Sequence, residues 1–143
     1  MAKTFKFRLE RVLEYREVIR NDKKKELLIK NQALNEAQDN LNALKKALIS
    51  DKSVGQDVQV QKLQIVANYE SRLMKEIDLA KIEIEKLTYE AEKAKEEYIE
   101  SVKEHEALKV LRVRKQQEYQ AEVSRAEDKF LDELSVQRRK RDH

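Results

Sequence analysis

Apolar residues recur every three or four positions along most of the chain, which is the spacing of one face of an α-helix. In the first half, the a positions of one heptad repeat are leucine except for a single arginine: Leu13, Arg20, Leu27, Leu34, Leu41 and Leu48. The d positions are weaker because several are basic: Leu9, Arg16, Lys23, Lys30, Ala37 and Leu44. The pattern predicts a coiled-coil helix over about residues 4–50, with bases interrupting the first part of its seam.

A second and more regular repeat occupies the C-terminal part of the chain. Its seam positions are Leu63, Val66, Glu70, Leu73, Ile77, Ala80, Ile84, Leu87, Ala91, Ala94 and Tyr98. After Tyr98 the repeat slips to Val102 and His105, a four-residue step that locally unwinds a supercoil. It resumes through Gln116, Tyr119, Val123, Ala126, Phe130 and Leu134. This pattern predicts a longer helix over about residues 57–140.

Between the two repeats, residues 51–57 hold the only glycine, Gly55, among residues that end one helix and cap the next. The sequence therefore predicts an all-α fold, a long antiparallel two-helix coiled-coil hairpin, as a single domain over residues 1–143. Folding about residue 54 would let the first helix cover the second only to about residue 103. The apolar stripe beyond that point would then need another protein to cover it.

The composition fits long helices and offers no catalytic chemistry. The chain has 143 residues, 41% of them charged, with one Gly, no Pro and no Cys. A glycine-rich phosphate loop cannot be built from one glycine. The two histidines predict no site, because His105 lies on the seam and His143 is the last residue. We expect no enzyme activity, no cofactor and no metal. The first ten residues lack the apolar core of a signal peptide, and no apolar run approaches the roughly 20 residues that span a bilayer.

Charge is distributed unevenly although the formal net charge is only +3. Residues 1–30 carry +5, residues 31–110 carry −4 and residues 111–143 carry +2. In a hairpin the two basic ends would meet and form one electropositive tip. Such a tip could bind an acidic protein surface, an anionic membrane or nucleic acid.

A basic zipper is the nucleic-acid alternative, because three lysines at 23–25 precede leucines at seven-residue spacing. The same region carries four acidic residues that would repel phosphates: Glu10, Glu14, Glu17 and Asp22. We therefore expect no nucleic-acid partner. A general coiled-coil scaffold remains an open alternative.

Both ends of the chain resemble one protein family. The opening FKFRLERVLEYREV, residues 5–18, resembles the N-terminus of the FliJ family, the small coiled-coil component of the flagellar type III export apparatus. Residues 126–141, AEDKFLDELSVQRRKR, resemble the C-terminal signature of that family, in which a hydrophobic-DE-hydrophobic core leads to a basic tail. The equivalent stalk of an injectisome is an alternative that composition cannot separate.

The resemblance implies a stalk similar to that of rotary ATPases, inserted by its terminal ends into the hexameric flagellar export ATPase. It also implies docking to the cytoplasmic domain of the export gate FlhA, with export chaperones as further candidate partners. The expected location is cytoplasmic, peripherally associated with the inner-membrane export apparatus through these partners.

Two groups of residues follow from the resemblance as candidate sites. For the ATPase ring they are Phe5, Phe7, Leu9, Leu13, Phe130, Leu134, Arg138, Arg139, Lys140 and Arg141. For the export gate they are Tyr69, Leu73 and Ile77, where the family shows an aromatic residue followed at intervals of four by Leu and Ile. Hairpin core is the alternative reading of Tyr69 and Leu73.

Overall fold

Two α-helices make up almost all of the described structure. The computed structural model describes residues 4–52 and 60–141, and no strand occurs in those ranges. Helix α1 spans Glu10–Lys52 (43 residues) and helix α2 spans Val60–Arg141 (82 residues). The two helices pack against each other in antiparallel orientation, which confirms the all-α hairpin with a longer second helix. The predicted turn with Gly55 falls mainly outside the described residues; positions 51–52 are still helical.

The chain forms two compact units, each built from one segment of α1 and one of α2. The first unit comprises Met1–Arg20 and Glu100–His143, and the second comprises Asn21–Ile99. In the second unit, the most deeply buried side chains come from the seam of α2: Leu73, Ile77, Ala91 and Ala94. They face the half-buried leucines of the α1 heptad. Since α2 covers this leucine stripe, the seam that a parallel basic zipper would use is already occupied.

Ion pairs between the helices of the second unit show which residues of α1 lie opposite which residues of α2. Lys23 Nζ lies 3.2 Å from Glu97 Oε2, and Lys30 Nζ lies 3.1 Å from Glu90 Oε2. The two members of each pair are equally distant in sequence from residue 60. The sequence predicted that the hairpin folds about residue 54, and this centre is wrong. The lysines at the d positions of α1 pair with glutamates that lie further along α2 than a fold about residue 54 would place opposite them.

The Lys23 ammonium also shows how a base is accommodated on the seam. Its hydrogen bond to Glu97, together with the negative charges of Glu26 and Glu97, raises its pKa above the ordinary value of 10.5. Because the pKa of Lys23 is higher in the folded chain than in the unfolded one, its charged form stabilises the fold fully below pH 10.5. This stabilisation is lost as the pH rises through the pKa of the folded state. The ion pair is therefore formed at neutral pH.

The register predicts a specific chemical crosslink. A carbodiimide joins a lysine amine to a carboxylate that it contacts, so the treated chain should yield amide-linked peptides joining Lys30 to Glu90 and Lys23 to Glu97. Mass spectrometry of the 17.0 kDa monomer band should identify both. Lys30→Arg is the matched control, since arginine keeps the charge but forms no amide. Products found only in dimers would contradict the intrachain register.

In the first unit, an extended segment, residues 4–7, and a turn at residues 8–9 precede the helix, whereas the sequence predicted a helix from about residue 4. Residues 4–9 alternate between exposed and half-buried, and helix α1 starts at Glu10. The reason is visible in FKFRL, where apolar and basic residues alternate with the period of two that suits an extended chain. The Glu10 amide donates to the Phe7 carbonyl (3.2 Å), and the Glu10 carboxylate in the first turn favours the helix start.

An extended residue advances the chain by about 3.3 Å and a helical one by 1.5 Å, so residues 4–7 reach further along α2 than a helix would. The Phe5 ring lies 5.6 Å from the Tyr119 ring, and Val123 is still half-buried. The predicted limit of coverage near residue 103 is therefore wrong. Of the apolar residues expected to lack a partner, Leu108, Leu111, Tyr119 and Val123 are half-buried, whereas Phe130 and Leu134 are exposed.

A polar layer lies inside the first unit. Ser101 and His105 are both buried, and Arg20 Nη1 lies 3.2 Å from His105 Nδ1. The predicted slip from Tyr98 to Val102 is wrong, because Ser101 continues the three-four spacing to His105. A small polar residue was not recognised as a seam residue. Arg16 pairs with Glu104, and Arg112 Nε lies 2.8 Å from Glu10 Oε2, so further ion pairs flank this layer.

Candidate functional site

The C-terminal end of α2 is an uncovered helix within the first unit. Every described residue from position 124 to position 141 is exposed. Phe130 and Leu134, which continue the seam of α2, are 60% and 45% exposed. Leu131 and Val136 add two further exposed apolar side chains that the heptad did not predict. Apolar side chains grouped on an uncovered helix mark a surface for a protein partner.

The last turn of α2 adds four consecutive cations: Arg138, Arg139, Lys140 and Arg141. Their position is favourable because the C-terminal end of a helix carries partial negative charge. A shallow groove of about 460 Å³ lies between this turn and the apolar residues, and Leu131, Leu134, Arg138 and Arg141 contribute to its lining. The groove can receive an apolar side chain beside a carboxylate, since guanidinium groups bind carboxylates in a bidentate manner.

The N-terminal residues of the predicted ring-contact set have a different environment. Leu13 is buried, and Phe5, Phe7 and Leu9 are half-buried. These four residues therefore pack within the helix pair, and in that state they offer little surface to a ring. The structure divides the predicted set into a packed N-terminal group and an exposed C-terminal group.

The two groups lie at different levels along α2. Thr4 and Phe5 lie beside Tyr119 and Glu122, whereas the basic turn begins at Arg138. Arg138 lies sixteen positions beyond Glu122 in α2, or about 24 Å along the helix at 1.5 Å per residue. The prediction of one merged electropositive tip is therefore wrong, because α2 continues well past the start of the described chain.

A second groove, of about 620 Å³, lies between the extended segment and α2. Its apolar wall includes Phe5, Leu111 and Tyr119, and its rim carries Lys6 and Lys115. The Tyr119 hydroxyl is inaccessible to solvent, and it has no hydrogen-bond partner among residues 4–52 and 60–141.

The predicted gate-docking residues divide in a similar way in the second unit. Tyr69 is 38% exposed, and the Arg72 guanidinium lies 5.5 Å from the centre of its ring. Leu73 is 4% exposed and Ile77 is buried as well. A partner can reach Tyr69 directly, whereas Leu73 and Ile77 belong to the hairpin core.

Within residues 4–52 and 60–141, no three His, Asp or Glu side chains are grouped so that they could hold a metal ion. Neither described helix contains a stretch long and apolar enough to cross a bilayer.

A family model described as "Flagellar FliJ protein" matches residues 5–142. The chain belongs to the FliJ family. Membership implies a component of the flagellar export apparatus, and the FliJ family is known as a structural, chaperone-like export component and not as an enzyme. No curated protein and no solved structure matched the chain.

Proposed function

We propose that this FliJ-family chain is a stalk that inserts its first unit into the hexameric flagellar export ATPase. Its second unit binds the cytoplasmic domain of the FlhA gate. The chain would thus couple ring and gate, without catalysis of its own, to support the export of flagellar proteins. It would act in the cytoplasm, held at the inner-membrane export apparatus through these two partners, with export chaperones as additional partners.

The observation that carries the ATPase assignment is the uncovered C-terminal end of α2. Phe130 and Leu134 are exposed there, and four consecutive cations follow them in the last turn. Most of the affinity of an interface comes from a few well-buried anchors, and aromatic residues and arginine are the commonest of them. This end offers both types on a single helix, a shape that fits the central opening of a ring.

The packed N-terminal group would assist this contact by holding the two helices of the first unit together. Phe5, Phe7, Leu9 and Leu13 hold the extended segment and α1 against α2, and the neighbouring groove gives ring subunits a second point of contact. A stalk that touches the ring subunits unequally favours a different conformation in each of them. Such unequal contacts would activate ATP hydrolysis without a catalytic residue on the stalk.

The direct contact with the gate is at Tyr69. Leu73 and Ile77, which are buried in the hairpin core, fix the position of the helix face that carries Tyr69. Tyr69 is the most accessible of the three residues, and the Arg72 guanidinium near its ring gives the surface a cationic character. Aromatic residues and arginine are both enriched among the residues that dominate interface affinity.

ATP hydrolysis by the purified export ATPase, measured with increasing amounts of the chain, tests the proposal. We expect Phe130→Ser combined with Leu134→Ser to weaken half-maximal activation at least about tenfold, equivalent to about 1.4 kcal/mol of binding. Replacing the four cations of the last turn with serine should weaken activation and reduce its salt dependence, since salt screens such charges over about 8–10 Å.

Val110→Ser combined with Val113→Ser is the matched control. These two valines are about as exposed as Leu134, lie on the same helix and belong to neither predicted site. The control should activate like the unaltered chain, and all variants should melt alike because the altered residues are exposed. Unchanged activation by both C-terminal variants would overturn the stalk assignment.

A further inference from the structure

The second unit carries another regular stripe on the face of α2 opposite the seam. We call this the outer stripe, and it consists of Lys75, Leu79, Ile82, Lys86, Tyr89 and Lys93. Successive members are three or four residues apart, so they line up along one side of the helix. With 3.6 residues per turn, they lie roughly half a turn around the axis from the buried Ile77 and Ala91.

The apolar members of the outer stripe are strongly exposed. Leu79, Ile82 and Tyr89 have exposed fractions of 66%, 62% and 69%. Isolated exposed apolar residues are common, but these three lie on one line over about 15 Å of helix. A straight apolar line between polar flanks has the shape that a second helix covers, because its side chains fit between those of the partner.

The lysines of the outer stripe form no ion pair within the described part of the chain. By contrast, Lys23 and Lys30 both bind glutamates across the seam. The cations of the outer stripe are thus free for carboxylates that another molecule brings.

We propose that the outer stripe docks an amphipathic helix of a second protein, whose apolar seam is flanked by Asp or Glu. The exposed Leu79, Ile82 and Tyr89 would enter that seam, and the three lysines would bind its carboxylates. A second copy of this chain is a poorer occupant, because joining two outer stripes in parallel register would oppose their lysines.

This surface is separate from the gate-docking position. Tyr69 precedes Ile82 by 13 residues, which at about 100° per residue places it roughly a third of a turn from the centre of the outer stripe. The inference goes beyond the proposed function, since it requires neither the ring contact nor the gate contact.

Site-specific photocrosslinking tests the proposed partner in cells that encode the chain. A benzophenone amino acid replaces Tyr89, and Asn35, an exposed position of α1 in the same unit, serves as the matched control site. We expect an adduct only from position 89, and mass spectrometry should place the crosslink in an acid-flanked amphipathic helix of another protein. Reversing Lys75, Lys86 and Lys93 to Glu should lower the yield at least about tenfold, with unchanged melting.

A binding measurement with two synthetic helical peptides tests the charge preference directly. Both have the same leucine seam, flanked by glutamate in one and by lysine in the other. Fluorescence anisotropy should show the glutamate peptide binding at least about tenfold more tightly, and the three Lys→Glu changes should reverse this preference. Equal binding of the two peptides, no adduct from position 89 above the control, or an adduct with a second copy of the chain would each overturn the proposal.

Discussion

Replacing Leu73 with alanine should lower the free energy of unfolding by about 2–5 kcal/mol, because this side chain is 4% exposed in the core of the second unit. The truncation removes apolar contacts and leaves a cavity that two paired helices can close only partly. Circular dichroism during thermal or urea unfolding would measure the change. Tyr69→Ala is the natural comparison, since Tyr69 is 38% exposed and its loss should change stability by no more than about 0.5 kcal/mol.

The same pair of variants separates docking from folding at the proposed gate site. Tyr69→Ala should melt like the unaltered chain but lose binding to the cytoplasmic domain of FlhA. Tyr69→Phe keeps the ring and should retain binding. If Tyr69→Ala still binds the gate, the docking assignment is wrong, and if Leu73→Ala melts normally, Leu73 is not core.

Replacing His105 with leucine should cost about 1–3 kcal/mol, because it removes an acceptor from the Arg20 guanidinium inside the first unit. Arginine can only donate hydrogen bonds, so Nδ1 of the 3% exposed His105 must accept this one. His105→Gln offers an amide oxygen and should recover part of the loss. Urea unfolding of the three proteins at neutral pH measures both effects.

Changing both partners should have the opposite outcome. In Arg20→Met combined with His105→Leu, the guanidinium donor and its imidazole acceptor are removed together, and stability should exceed that of His105→Leu alone. We expect the two helices of the double variant to pair in more than one register. A polar pair on a coiled-coil seam disfavours shifted alignments, and the double variant lacks this pair. The carbodiimide crosslinks would then include new lysine-glutamate combinations. A double variant as unstable as His105→Leu alone would show that the two side chains act independently.

The candidate sites could be predicted only in part. Phe130, Leu134 and the four terminal cations were named from the resemblance to the FliJ family, and the structure leaves all six exposed. Leu131 and Val136 were missed because they lie off the heptad. Phe5 and Phe7 were predicted as apolar contacts for the ATPase ring, but the alternation that makes their segment extended also turns them toward α2. Whether an apolar residue faces solvent or a neighbour depends on what covers it, and spacing alone does not provide that information.

The spacing of apolar residues predicts that the chain is helical, where most of each helix lies, and which residues face the seam. Local spacing and the scarcity of glycine and proline are sufficient for this, because they act within one helix. The register of the two helices, by contrast, depends on contacts between them. A shift of seven residues returns every seam position to the same face, so the heptad tolerates many alignments about equally. Partners such as Lys30 and Glu90, which meet only after the helices pair, select one of them, and that choice leaves the end of α2 uncovered.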